Sequence, residues 1–324
     1  MNENPRCSVE SLAADEPLAG SAPRARAWLI LEQSGPYGFD ALSDSHLPAE
    51  VRLALAEAGK ETGTNVLLAR PVGQHADTHV ASDSRRFWLA HCAPGGARMR
   101  SGVLADAELT RPDLRDVLSA ASHGELPPWG SRTSDPLMLV CTNSKRDLCC
   151  ALEGRPLAEA LSADPTTSES VLEVSHIGGH RFAPTVLLLP TGHVYGRLNA
   201  EQARSVLIGA RSGKLLHPEH LRGRSSAAQP AQVAAVAIRT GYDIEGLDSL
   251  DVLRKVGDKV VPFPLRWDGE DGHAEIEVRH RDGRAWSVSV AQSQLLPRSE
   301  SCGKPAKSAS VWKAESIETL PAWF

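Results

Sequence analysis

Cys141 and Cys150 stand nine positions apart, and His176 and His180 stand four apart. Thiolate and neutral imidazole are ligands that both iron and zinc accept. The cysteines follow the apolar run Leu137-Met-Leu-Val140, and the histidines follow Val171-Leu-Glu-Val174. Both runs read as buried strands, so both pairs occupy strand-end loops that neighbouring strands can bring together. The spacing C-x8-C is too wide for the C-x2-4-C knuckle of common structural zinc sites, and it is long enough to wrap a larger object. Gly178 and Gly179 disfavour a helix between the histidines. They favour a tight loop of close backbone approach, whose N–H groups could donate to bridging sulfides.

Stepping outward from these loops, the elements fall into two sets of the same order. An irregular lead-in, rich in Ala, Glu and Pro, runs to Arg26. Over 27–124 the pattern predicts a strand at Trp28–Leu31, a helix over Pro48–Ala58, and strands at Asn65–Leu68, Arg86–Ala90 and Ala97–Leu104. A second helix follows, opened by Thr110 and Asp113 as a capping box with Pro112 in its first turn. The Pro-, Gly- and Ser-rich stretch Glu125–Pro136 reads as a boundary. Over 137–222 the order repeats: a strand at Leu137–Val140, a short helix over Arg155–Ser162 with Pro156 early in it, strands at Val171–Val174, Thr185–Leu189 and His193–Leu198, and a helix capped by Asn199 and Gln202.

The expected fold class is therefore α/β, with two tandem thioredoxin-like halves in βαβββα order plus a small C-terminal α+β module. A degenerate internal duplication would place the loop Gln33–Asp40 where Cys141–Cys150 stands in the second half. The module spans 226–298, with a helix at Ala231–Arg239 and a hairpin about Arg281-Asp-Gly283. Residues 299–324 read as a tail.

The stretch Val140-Cys-Thr-Asn-Ser-Lys-Arg-Asp-Leu-Cys-Cys150, with Gly154-Arg-Pro156 and Ser175-His-Ile-Gly-Gly-His-Arg-Phe-Ala183, resembles the sucrase/ferredoxin-like family, a branch of the thioredoxin-like [2Fe–2S] ferredoxins. The resemblance covers roughly the first two-thirds of the chain. It implies an electron carrier whose [2Fe–2S] cluster is held by Cys141, Cys150, His176 and His180, as in bis-histidinyl members. The first half lacks both pairs and could hold no cluster of its own. Replacing two thiolates by neutral imidazoles makes the oxidised cluster less negative, so the reduction potential should rise, as in Rieske centres.

Six cysteines in a chain without a recognisable secretory signal argue against a disulfide framework. Two other readings stay open: a thiol-based redox enzyme using Cys149 or Cys150, and a structural zinc-binding interaction protein. Cys149 reads as a small buried neighbour, Cys92 as core, and Cys7 and Cys302 carry no assigned role. Lys145, Arg146, Arg155 and Arg181 could rim the site and dock an acidic redox partner, a reductase or electron acceptor, unless Arg146 and Asp147 pair to fix the loop. His193 and Tyr195, on an alternating strand, read as surface or supporting groups.

With 41% hydrophobic and 23% charged residues and a net charge of −5, the chain gives no electrostatic reason to bind nucleic acid or an anionic membrane. Its apolar runs are too short to span a bilayer. The expected compartment is the cytoplasm.

Overall fold

The apolar runs that open the two halves become central strands because neighbours cover them on both sides. A computed structural model describes residues 6–60, 62–74, 82–257, 259–267 and 272–324. Its elements in order are α1 (Cys7–Ala13), β1 (Ala27–Glu32), α2 (Ala41–Asp44), α3 (Ala49–Ala58), β2 (Thr64–Arg70), β3 (Ser84–His91), β4 (Arg98–Ala105), α4 (Asp106–Leu109), α5 (Leu114–Ser122) and β5 (Ser131–Thr133). There follow β6 (Leu137–Cys141), α6 (Leu148–Ala163), β7 (Val171–Val174), β8 (Thr185–Leu189), β9 (His193–Gly196), α7 (Ala200–Arg211), β10 (Leu221–Arg224) and α8 (Gln229–Gly241). The last five strands are β11 (Leu250–Val256), β12 (Lys259–Pro262), β13 (His273–His280), β14 (Ala285–Ser299) and β15 (Ala306–Leu320).

The fold is mixed α/β, consistent with a thioredoxin-like architecture. In the first half β1 lies parallel to β2 and antiparallel to β3, and β4 and β5 continue outward in antiparallel pairs. In the second half β6 lies parallel to β7 and antiparallel to β8, followed by β9 and β10. The halves meet where β2 and β7 pair antiparallel, Ala69 opposite Val174 and Arg70 opposite Glu173. The result is one ten-stranded sheet in the order β10-β9-β8-β6-β7-β2-β1-β3-β4-β5. Strand alternation sorts its side chains. Met138 and Val140 pack with Leu157, Leu161, Val206 and Leu207 of α6 and α7. Leu139 and Cys141 face the other way, into a core shared with Trp28 and Ile30 of the first half.

A second sheet, β12-β11-β13-β14-β15, packs Ile276, Val278, Trp286, Val288 and Val290 against Ala231, Ala234 and Ile238 of α8. Among the described residues no helix is long and apolar enough to cross a membrane.

Several expectations need correction. The lead-in contains the helix α1, with residues 1–5 outside the described set. Glu125–Pro136 carries the short edge strand β5. Thr110 does not cap α5: it closes α4, its hydroxyl donating to the carbonyls of Asp106 and Ala107, and Asp113 pairs instead with Arg111. The helix expected at Arg155–Ser162 begins seven residues earlier, because Asp147 caps it by accepting the Cys149 N–H. Pro156 is an interior residue there. Residues beyond Ser299 are no tail but the turn and outer strand of a hairpin with fifteen-residue arms. His193 and Tyr195 are buried, bonded to Thr191 and to the Leu216 carbonyl.

Candidate metal centre

Parallel pairing of β6 and β7 sets Cys141 beside Val174, so the two ligand-bearing loops leave the same sheet end. Cys141 closes β6, and Cys150 lies in the first turn of α6 rather than in a loop. Close packing of that helix on the strand end requires Gly154, where a Cβ would come within 2.2 Å of the Cys141 carbonyl oxygen. His176 follows β7, and His180 opens a 3-10 turn, His180–Phe182, entered through Gly179 at φ 73°. That left-handed conformation suits glycine, and a Cβ there would meet the Arg222 guanidinium.

The structure brings the four residues to one place. One ligand atom each from Cys141, Cys150 and His176 falls within a 4.8 Å set, and the rings of His176 and His180 lie 5.2 Å apart. Both thiols are buried, whereas both imidazoles are partly exposed, so the histidines form the rim. The hydrogen bond from Cys150 drives Cys141 well below the ordinary thiol range, helped by His176 and the Ile177 N–H. The same bond and burial push Cys150 well above it.

Nδ1 of His176 and Nδ1 of His180 are buried without a hydrogen-bond partner among the described residues. A buried polar atom left unpaired costs about 1–3 kcal/mol, and an imidazole Nδ1 beside two thiols is one that a metal could satisfy. His180 fits this further. Its Nε2 lies 3.5 Å from Asp147 Oδ2. Metal-bound imidazoles are commonly fixed in this way, through the nitrogen that does not ligate.

The family model described as sucrase/ferredoxin-like matches residues 18–223, well over half of the chain. The chain belongs to the sucrase/ferredoxin-like family. No curated protein and no solved structure matches it. The family span contains all four candidate ligands of this sucrase/ferredoxin-like chain and ends before α8.

The supporting residues differ from expectation. Arg181 is engaged with Glu16 at 2.7 Å, and Arg155 reaches Ser144. Arg146 does not pair with Asp147 but stacks over the Phe39 ring at 4.3 Å, and Lys145 is exposed. Asp147 is buried, its Oδ2 accepting from the Ser301 hydroxyl and the Cys302 N–H. Burial alone would raise its pKa, but these bonds and the nearby His180 hold it below the ordinary value.

Sequence reasoning missed Arg222 altogether. This fully buried guanidinium bonds the Gly178 and Ser21 carbonyls and feels the charges of Cys141 and Cys150. Burial lowers its pKa to about 9. No local pattern announces it, because β10 lies at the far edge of the sheet from the cysteine strand's own neighbours in sequence. Asp147 did carry a signal, as a capping-type residue directly before Leu148-Cys-Cys150.

Cys149 is buried as expected, but not merely as a neighbour of Cys150. Its sulfur lies with those of Cys7 and Cys302 in a second group.

Proposed function

We propose that this chain is an electron-transfer protein holding a [2Fe–2S] cluster on Cys141, Cys150, His176 and His180. The observation that carries the reading is a buried thiol pair facing two rim imidazoles whose Nδ1 atoms have no hydrogen-bond partner among the described residues. His180 falls outside the 4.8 Å set formed by the other three, which suits a two-iron object better than one ion. The cluster would supply one-electron chemistry. Cys141 and Cys150 keep water from its inner side, while the Arg222 cation offsets added negative charge.

The partly exposed imidazole edges offer the short path to a docked redox protein, a reductase or an acceptor, with Lys145 and Arg146 available to an acidic surface. Under this reading the protein is a carrier, not a catalyst. Six free cysteines suit the reducing cytoplasm.

A thiol enzyme has one observation in its favour. The bond from Cys7 lowers the Cys149 pKa to about 6. However, Cys149 is fully buried, and a reactive thiolate must be reached by its substrate.

The test is the visible and EPR spectrum of protein purified without oxygen, with iron and sulfide assayed on the same sample. A red-brown protein with about two irons and two sulfides per chain and a Rieske-like reduced signal is expected. A colourless protein that takes up neither on reconstitution would overturn the proposal.

A further inference from the structure

Three thiols and a carboxylate from opposite ends of the chain converge beside the cluster residues. Cys7 comes from α1, Cys149 from the first turn of α6, Asp147 from its cap, and Cys302 from the tip of the β14–β15 hairpin. The Sγ atoms of Cys7 and Cys149 are 3.7 Å apart, those of Cys149 and Cys302 3.3 Å, and those of Cys302 and Cys7 3.7 Å. Cys7 Sγ lies 3.6 Å from Asp147 Oδ1.

These lengths can be compared with an ion's requirements. Zinc–sulfur bonds of about 2.3 Å at tetrahedral angles put sulfurs about 3.8 Å apart, and a zinc–oxygen bond of about 2.1 Å puts the oxygen about 3.6 Å from each sulfur. The three sulfur–sulfur distances and the Cys7–Asp147 distance match those edges, with the Cys149–Cys302 pair somewhat short. All four ligand atoms lie within 4.8 Å of one another, and Cys7, Cys149 and Asp147 are buried.

The surroundings of Cys149 favour a thiolate. The Ser8 hydroxyl donates to Cys149 Sγ at 3.2 Å. Packing three such sulfurs together without a cation sets like charges against each other on ionisation, and a divalent ion removes that penalty.

We propose that Cys7, Cys149, Cys302 and Asp147 form a structural site for a thiolate-preferring divalent ion of the zinc class. Binding releases one proton from each of the three thiols and involves no change of oxidation state. A closed four-ligand set with no open position makes the site structural rather than catalytic. The ion fastens α1 and the hairpin tip onto the cap of α6, next to His180. Beside it, Glu16 holds Arg298 of β14 and Arg181 of the histidine loop at 2.5 and 2.7 Å, so the same two chain ends are tied down twice. Cys7 and Cys302 lie outside the family span of 18–223, which makes the site a property of this chain rather than of the matched region.

The experiment measures zinc, iron and sulfide per chain in full-length protein purified anaerobically with reductant, before and after loading with Zn2+. One zinc per chain is expected in the wild type. Cys141→Ser/His176→Ala should keep that zinc while losing iron, which separates this site from the cluster. Cys7→Ser and Cys302→Ser should each lower zinc affinity at least tenfold with iron and sulfide unchanged. Co2+ titrated into the iron-free double variant should give tetrahedral cobalt bands with thiolate charge transfer. Adding Cys302→Asp to it, which keeps a fourth donor should the serine variant fold poorly, should reduce that charge transfer by about a third. A wild type that binds no zinc on loading, zinc that survives both serine changes, or a Cys149–Cys302 disulfide in the anaerobic protein would each overturn the proposal.

Discussion

The two halves share a strand register but fill the same place with different chemistry. In the first, the Gln33 N–H donates to the Ala69 carbonyl; in the second, the Thr142 N–H donates to the Val174 carbonyl. By this register Glu32 stands where Cys141 stands, and Pro71 where His176 stands. Asp40 caps the following helix in one half and Asp147 in the other. In the first half, charged and polar protein groups pair with one another near the strand ends. Tyr37 lies under the Arg70 guanidinium, Arg70 bonds Glu173 and the Gly35 carbonyl, and Arg85 bridges Gln33 and Asp106. In the second, Nδ1 of His176 and Nδ1 of His180 have no hydrogen-bond partner among the described residues. A shared backbone supplies only a position at the sheet end; the residue types that stand there, thiols and imidazoles in one half and neither in the other, decide whether that position can hold a metal. We propose an internal duplication as the origin of the repeat.

The comparison can be broken first at the ligands. His176→Ala or Cys150→Ala should take iron from about two per chain to near zero, while Glu32→Ala at the matching position leaves iron unchanged. Equal losses in both halves would show that the cluster reading misplaces the site.

The junction between the halves comes next. Arg70 and Glu173 are paired at 2.8 Å with almost no exposure. Glu173→Ala leaves Arg70 as an uncompensated buried charge and should cost about 3–5 kcal/mol in urea unfolding. A loss below about 1 kcal/mol would mean that the halves are held by their apolar core alone.

A smaller effect concerns the wrapping of the second half. Burial raises the pKa of Glu16, but the bonds from Arg298, the charge of Arg181 and the Ser11 hydroxyl outweigh it, leaving the pKa depressed. A depressed carboxylate contributes stability that is full above its unfolded value of about 4.3 and is lost as pH falls through the folded value. Acid should therefore loosen α1 and the hairpin tip before the first half, read by amide exchange. Glu16→Gln, at a cost of about 1–3 kcal/mol, should abolish that step. A first half that opens at the same pH would remove the distinction.

The smallest effect is electronic. Arg222→Gln should lower the cluster potential by the equivalent of on the order of 1 kcal/mol, since the cation favours the reduced, more negative state. An unchanged potential would mean that solvent screens this charge.

Much of the sheet was legible because its strands are apolar runs between turn residues, and burial on both faces demands such runs. Trp28–Leu31, Leu137–Val140, Val171–Val174 and Thr185–Leu189 all lie within strands, and Asn199 with Gln202 forms the expected capping box. The four ligand-type residues were legible through their types and spacing. The start of α6 was not, because Pro156 normally marks a first turn and here lies deep in the helix. Nor was the hairpin beyond Ser299, whose Ser, Lys and Gly content imitates a tail while β14 pairs with it along its length.

By itself, the sequence determined which residues can bind metal, which strands must be buried, and that two stretches of similar order follow each other. Such features depend on side-chain chemistry and on contacts close along the chain. Only the tertiary structure decided that the halves join through β2 and β7, that Arg222 lies buried against the histidine loop, and that Cys7 and Cys302 meet at Cys149. Those contacts span up to 295 positions, and sequence periodicity carries no record of which distant surfaces will close on each other.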